Sequence, residues 1–181
     1  SLDAFRRQGR FGEMLMGAIR MAGFVPDSFL PEYGPRQYEA TLRPEEGVRA
    51  ADAAVVMREM ARAVAWRGNM RAIFSPMLEP DGIGNGTHIH LSLWDGDTPL
   101  TYDPFSPLGI SEKTEPFFAG ILRHLPAITA FSAPSVASYY RLKPNRWAPV
   151  QANLGLQDRG AALRVAPLFS TAAEPSERQF N

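Results

Sequence analysis

Two histidines two residues apart, His88 and His90, follow a turn with a glycine at every second position: Asp81-Gly82-Ile83-Gly84-Asn85-Gly86-Thr87-His88-Ile89-His90. Side chains alternate along an extended backbone, so His88, His90 and Ser92 fall on one face and Ile89, Leu91 and Leu93 on the other. A neutral imidazole is a common donor to first-row metals, and glycine lets the backbone approach a ligand closely. The pattern points to a metal or a phosphate. The alternative is an exposed strand with two solvated imidazoles. Against it, all but one of the chain's three histidines sit beside this turn.

Glu32 and Glu39 flank the turn Tyr33-Gly34-Pro35. Two carboxylates with an imidazole would make a hard oxygen and nitrogen site suited to Mg²⁺ or Mn²⁺. Each acid alone reads as a solvated surface residue. Arg141, Arg159 and Arg164 lie in or beside the late loops and strands. Arginines facing a divalent ion are the expected device for neutralising a transferring phosphoryl group, and surface ion pairs are the simpler use. Tyr139, Tyr140 and Trp147 could stack on an adenine, with packing the simpler expectation. Met57 and Met60 read as helix core.

The elements that must position these groups follow from periodicity. Phe11, Leu15, Ala18, Ile19 and Ala22 recur at helical spacing, predicting a helix over 9–22 that stops at Gly23. Alternation predicts a half-exposed strand over 37–42, and the Ala-, Met- and Val-rich run 45–67 predicts the longest helix. A buried strand over 70–75, the strand 87–93, a loop over 95–112 and a helix over 115–130 with Pro126 near its end follow. Residues 138–144 read as an aromatic and basic loop. Strands near 150–156 and 161–165, joined by Gln157-Asp158-Arg159-Gly160, read as a closing hairpin, and 170–181 as a polar tail. The order predicts an α+β fold with a mainly antiparallel sheet. No G-x-G-x-x-G opens a helix after a strand and no Walker loop is present, which excludes Rossmann and P-loop readings.

Composition narrows the partners. The 181 residues are 45% apolar and 21% charged, as expected for one globular domain. Nineteen Lys and Arg balance nineteen Asp and Glu, so no electrostatic footprint for nucleic acid or an anionic membrane exists. All but two of those cations, Lys113 and Lys143, are arginines, which grip phosphate and carboxylate bidentately. Cysteine is absent, excluding disulfides and thiolate chemistry. No apolar run reaches the about 20 residues of a membrane span, and a cytoplasmic location is expected.

Several separated motifs together resemble the catalytic domain of the glutamine synthetase family. They are Glu32-Tyr33-Gly34-Pro35-Arg36-Gln37-Tyr38-Glu39, Gly84-Asn85-Gly86-Thr87-His88-Ile89-His90-Leu91-Ser92-Leu93, Phe118-Ala119-Gly120-Ile121-Leu122, Ser138-Tyr139-Tyr140-Arg141-Leu142 and Asp158-Arg159-Gly160-Ala161-Ala162-Leu163-Arg164. Their order and spacing, from about Pro31 to Pro167, make chance an unconvincing explanation. The resemblance implies a curved, largely antiparallel sheet flanked by helices. It also implies ATP-dependent joining of ammonia or another amine to the γ-carboxylate of glutamate through γ-glutamyl phosphate. By position, Glu32 and Glu39 match carboxylate ligands of one divalent metal, Mg²⁺ or Mn²⁺, and His88 the imidazole ligand of another. His90, Ser92, Arg159 and Arg164 match contacts to nucleotide phosphates or the transferring phosphoryl group. Gly84 and Arg141 match glutamate-binding positions, and Arg141 and Arg159 are the pair expected to act on the reacting groups. Family members assemble as homo-oligomeric rings.

The chain departs from the family at two positions. Trp147 stands where many members carry a glutamate that deprotonates ammonium, and an indole offers only its face to a cation. This favours a larger amine. Arg36 stands where glycine is usual, crowding the turn between the two acids. The family's other carboxylate ligands are expected outside these residues, a pair before residue 1 and a Glu-x-Arg element after Asn181, so the 181 residues are expected to be inactive alone. A catalytically silent structural or regulatory module is the alternative.

Overall fold

Helix α1 spans Leu2–Met21, and its end shows why glycine occupies position 23. Gly23 adopts φ +84° and donates its N–H to the Arg20 carbonyl, while the Phe24 N–H reaches back to Ile19. This pair of bonds is the Schellman closure, which needs a left-handed residue that glycine adopts without a Cβ clash. Ile19 and Phe24 are both buried at that closure. The computed structural model describes residues 2–166, so the polar tail and Pro167 lie outside the described residues. The chain divides at Phe74/Ser75 into two compact units.

In the first unit α1 is followed by strands β1, Pro26–Pro31, and β2, Tyr38–Leu42, paired as an antiparallel hairpin with Pro31 opposite Tyr38 and Leu30 opposite Glu39. Helix α2, Val48–Arg67, begins three residues later than its sequence suggests. Gly47, at φ 48° and ψ −119°, is outside the helical region and blocks an earlier start. The small buried residues Ala53 and Ala61 let α2 pack with Leu15, Ile19 and Phe24, and Met57 and Met60 pack against that core as expected. Residues 70–75 form no strand, although Ala72 and Phe74 do pack on the core. Their apolar pattern serves burial without a ladder.

The second unit holds a short hairpin, β3 Trp94–Asp95 and β4 Thr98–Pro99, where a loop was expected. Helix α3, Glu115–Ser132, runs through Pro126 as expected and ends two residues later than its sequence suggests. Its Phe118 packs with Ile110 and Leu163 as the buried centre. Helix α4, Val136–Arg141, takes in the first four residues of the loop expected over 138–144, and its first turn is capped by Ser135 Oγ accepting the Ala137 N–H.

Strands β5, Leu154–Leu156, and β6, Leu163–Val165, are parallel, which corrects the expected hairpin. The connection folds back past Gly155, where a Cβ would come within 2.6 Å of Asp158 Cβ and 2.8 Å of Ala161 Cβ. An Asx bond from the Gly160 N–H to Asp158 Oδ1 stabilises the return. The α+β class holds, with two of the three strand pairs antiparallel among the described residues. No helix among them is long and apolar enough to cross a membrane.

Candidate functional site

The hairpin of the first unit brings Glu32 and Glu39 together. Leu30 faces Glu39 across the ladder and Glu32 lies two residues beyond Leu30, so the two acids form a diagonal pair on one face. The Glu32 N–H donates to the Gln37 carbonyl at 2.9 Å, extending the pairing to the turn. Burial raises the pKa of Glu39, and a hydrogen bond with Glu32 and its charge raise it further. Glu39 therefore feels its neighbour Glu32 as well as its partial removal from water.

The turn between them places Arg36 where glycine is favoured by backbone conformation. Gln37 donates its N–H to the Gly34 carbonyl at 3.1 Å, with Pro35 and Arg36 at the corners. Arg36 has φ +57°, the position of this turn type that normally takes glycine. The Gln37 side chain adds a strap, its Oε1 accepting the Gly34 N–H at 2.9 Å.

In the second unit Gly84 and Arg141 meet directly. The Arg141 guanidinium donates to three backbone carbonyls, Asn85 at 3.3 Å, Arg146 at 2.6 Å and Trp147 at 3.0 Å. The side chain runs over Gly84, where any Cβ would collide with Arg141 Cδ and lie 2.7 Å from Met77 Sδ. Glycine at 84 is thus what admits the arginine. Partial burial lowers the Arg141 pKa, and the guanidinium stays charged throughout the physiological range.

Among the described residues His88 and His90 lie in a segment without a strand ladder, where only Leu91 forms an isolated bridge, so a strand over 87–93 is not seen there. An alternating pattern makes a strand only where a partner supplies hydrogen bonds, and β1 to β6 do not pair with it. His90 remains exposed, yet partial desolvation lowers its pKa, with smaller contributions from His88 and Arg164. His88 and Arg164 are thus close enough to His90 to act on it electrostatically. Arg164 sits on β6, and its Nε is buried with no hydrogen-bond partner among the described residues. A buried N–H without an acceptor is a strong demand for one.

Ser92 accepts a hydrogen bond from Trp94 Nε1 at 3.0 Å, and Arg159 stands exposed on the connection between β5 and β6. Tyr139 and Trp147 are largely exposed, so packing does not explain them, while Lys143 Nζ lies 4.9 Å from the centre of the Tyr140 ring. One functional-looking group escaped the sequence reading. Arg146 donates to Asp81 Oδ1 at 2.9 Å and to the Gly82 carbonyl at 3.3 Å. Only its place five residues after Arg141, in a basic and aromatic run, could have drawn attention to it.

Glu32 and Glu39 are thus placed together in one unit, as are Gly84 with Arg141, and His88 with His90 and Arg164, in the other. No group of three or more His, Asp or Glu side chains that could hold a metal forms among the described residues. The carboxylate pair still offers oxygen donors that fit a hard cation, which would offset both the desolvation of Glu39 and the smaller effect of Glu32. The Arg164 guanidinium, with its unpartnered N–H and His90 beside it, fits a phosphate.

Comparison with known proteins gives concordant matches. Residues 1–180 match the family described as glutamine synthetase, catalytic domain. The chain is 41% identical over 151 residues to the gamma-glutamylpolyamine synthetase GlnA3 of Streptomyces coelicolor, covering 83% of this chain and 32% of that protein. It is 33% identical over 148 residues to a glutamine synthetase of Thermotoga maritima, covering 82% and 34%. Among solved structures, a crystal structure described as a novel glutamine synthase homolog superposes with TM-score 0.89 at 45% identity, covering 99% of this chain and 43% of that one. A structure described as a GmaS/ADP complex gives TM-score 0.81 at 27% identity, covering 90% and 39%. The chain spans about a third of the length of the curated relatives it matches.

Proposed function

The chain belongs to the glutamine synthetase family, and from that premise we propose that it supplies much of the catalytic domain of an ATP-dependent ligase joining the γ-carboxylate of glutamate to an amine. The observation that carries this reading is electrostatic. Residues matching the family's metal and phosphate positions gather suitable groups: two carboxylates lie diagonally across the hairpin at 32 and 39, and the Arg164 guanidinium, with an unpartnered buried N–H, acts on the His90 imidazole. Divalent cations and polyphosphates are the ligands that suit such groups.

In this reading the glutamate γ-carboxylate oxygen attacks the γ-phosphorus of ATP, ADP departs, and the amine then displaces phosphate from the acyl carbon. Glu32 and Glu39 would hold one Mg²⁺ or Mn²⁺ and His88 would serve another, and the bound ions would neutralise charge on the phosphoryl group. His90, kept neutral by desolvation, offers a ring N–H to phosphate without competing for a proton. Ser92, Arg164 and, from its exposed connection, Arg159 complete the phosphate side. Arg141 keeps N–H groups beyond those bonded to the three carbonyls, and these face glutamate. The ADP named for the GmaS relative supports the nucleotide assignment.

The amine is larger than ammonia. Trp147 offers an aromatic face, which suits an alkylammonium group better than a small hydrated ion. The relative named gamma-glutamylpolyamine synthetase supports that direction. The complete protein works as a homo-oligomer in the cytoplasm, and the 181 residues alone are inactive. Trp147 in place of an acid also favours a second reading, a silent assembly module. Calorimetric titration of the complete protein with Mn²⁺ and then ATP separates the two. The ligase reading expects saturable binding of both and phosphate release with glutamate and a diamine; a silent module shows neither.

A further inference from the structure

The loop that carries Trp147 is fastened to the glycine loop through Arg146. This guanidinium reaches both the Asp81 carboxylate and the Gly82 carbonyl, while the carbonyls of Arg146 and Trp147 both turn toward Arg141. The backbone on either side is left-handed, with φ 62° at Asn145 and 52° at Trp147. For a residue as bulky as tryptophan that conformation is rare and persists only when its surroundings impose it. Trp147 is 68% exposed, so its backbone conformation has a large share in setting its direction. Asp81 is almost fully exposed, and an ion pair there is weak by itself. Joining a carboxylate and a carbonyl through one planar fork is what arginine can do and lysine cannot.

We propose that Arg146 is a positioning residue for amine selection: by latching residues 81–82 to residues 146–147 it holds Trp147 in its left-handed conformation, so that the indole forms the amine-facing wall of the site. This role rests on the ligase reading. Arg146→Ala and Arg146→Lys in the complete protein test it with two measurements. The first is amide exchange over residues 82–86 and 145–148, with α3 as the control for folding. The second is the steady-state rate with a diamine varied at saturating ATP and glutamate. Arg146→Ala should speed exchange in both segments about tenfold, the value of one charge-assisted hydrogen bond. It should raise the diamine KM about fivefold or more, leaving kcat and the glutamate KM within about twofold by the same reasoning. Arg146→Lys should recover part of both effects. Unchanged exchange in either segment, or a loss falling equally on kcat and on the glutamate KM, overturns the proposal. Absence of turnover with every amine would remove the ligase reading and the amine-facing role, while exchange would still decide whether Arg146 holds the loop.

Discussion

Adding one methyl group at Gly84 probes the Gly84–Arg141 contact most sharply. Gly84 is not in the left-handed region, so alanine there meets a steric rather than a conformational obstacle. Its Cβ would collide with Arg141 Cδ and stand 2.6 Å from Nε and 2.7 Å from Met77 Sδ. The arginine must move, and moving breaks its bonds to the carbonyls of Asn85, Arg146 and Trp147. Charge-assisted bonds contribute about 1.5 kcal/mol or more each when buried, and overpacking costs about 1–3 kcal/mol. Because Arg141 is only partly buried, a local destabilisation of about 2 kcal/mol is the reasonable sum. The reporter is the Asn85 amide, which donates to the Pro76 carbonyl at 2.9 Å within the same loop. Its exchange should accelerate about thirtyfold in Gly84→Ala and by a similar factor in Arg141→Ala. The double variant should exchange no faster than Arg141→Ala alone, since the methyl then has nothing to displace. If the two effects multiply instead, the close packing of Gly84 on Arg141 is not what the glycine is for.

Arg36→Gly should stabilise the β1–β2 hairpin by about 1 kcal/mol, because glycine tolerates φ +57° without the Cβ penalty of an L residue; denaturant unfolding checks it. In metal-free protein Glu39, with its raised pKa, favours the protonated folded hairpin. The hairpin's stability is therefore full below the unfolded carboxyl pKa of 4.5 and falls as pH rises through the folded value. Glu32→Gln should weaken that dependence only partly, since desolvation is the larger cause, measured by exchange of the residue 32 amide. The opposite sign holds for His90, whose lowered pKa means its contribution is present above 6.5 and is lost as pH falls through the folded value. Imidazole NMR should place its midpoint below 6.5, and Arg164→Gln should raise it only partly, since desolvation is the larger cause.

What the sequence disclosed tracks how local the determining physics is. Helix α1 and its Gly23 stop were legible because amphipathic spacing and a left-handed cap are written within one turn. The glycine-favouring conformation at Arg36 was legible only through the family resemblance. Parallel pairing of β5 and β6 was not, because two apolar runs with a short connection carry no mark of direction; the fold-back past Gly155 decides it. Residues 87–93 have a strand's alternation, yet a ladder depends on a partner elsewhere. Helix α4 was hidden by its brevity, with Ser135 its only start signal. In the candidate site, two acids flanking one turn drew attention to Glu32 with Glu39, whereas Gly84 and Arg141 were linked only through the family resemblance. The Arg146 contacts cross more than sixty residues of chain, and no spacing rule reaches that far.

Trapping of an activated glutamate tests the ligase assignment most directly. The complete protein, incubated with ATP, Mg²⁺, glutamate and hydroxylamine, should form γ-glutamyl hydroxamate in step with ADP, and Arg164→Gln should suppress both. ATP left intact, or ADP released without hydroxamate, would contradict the assignment.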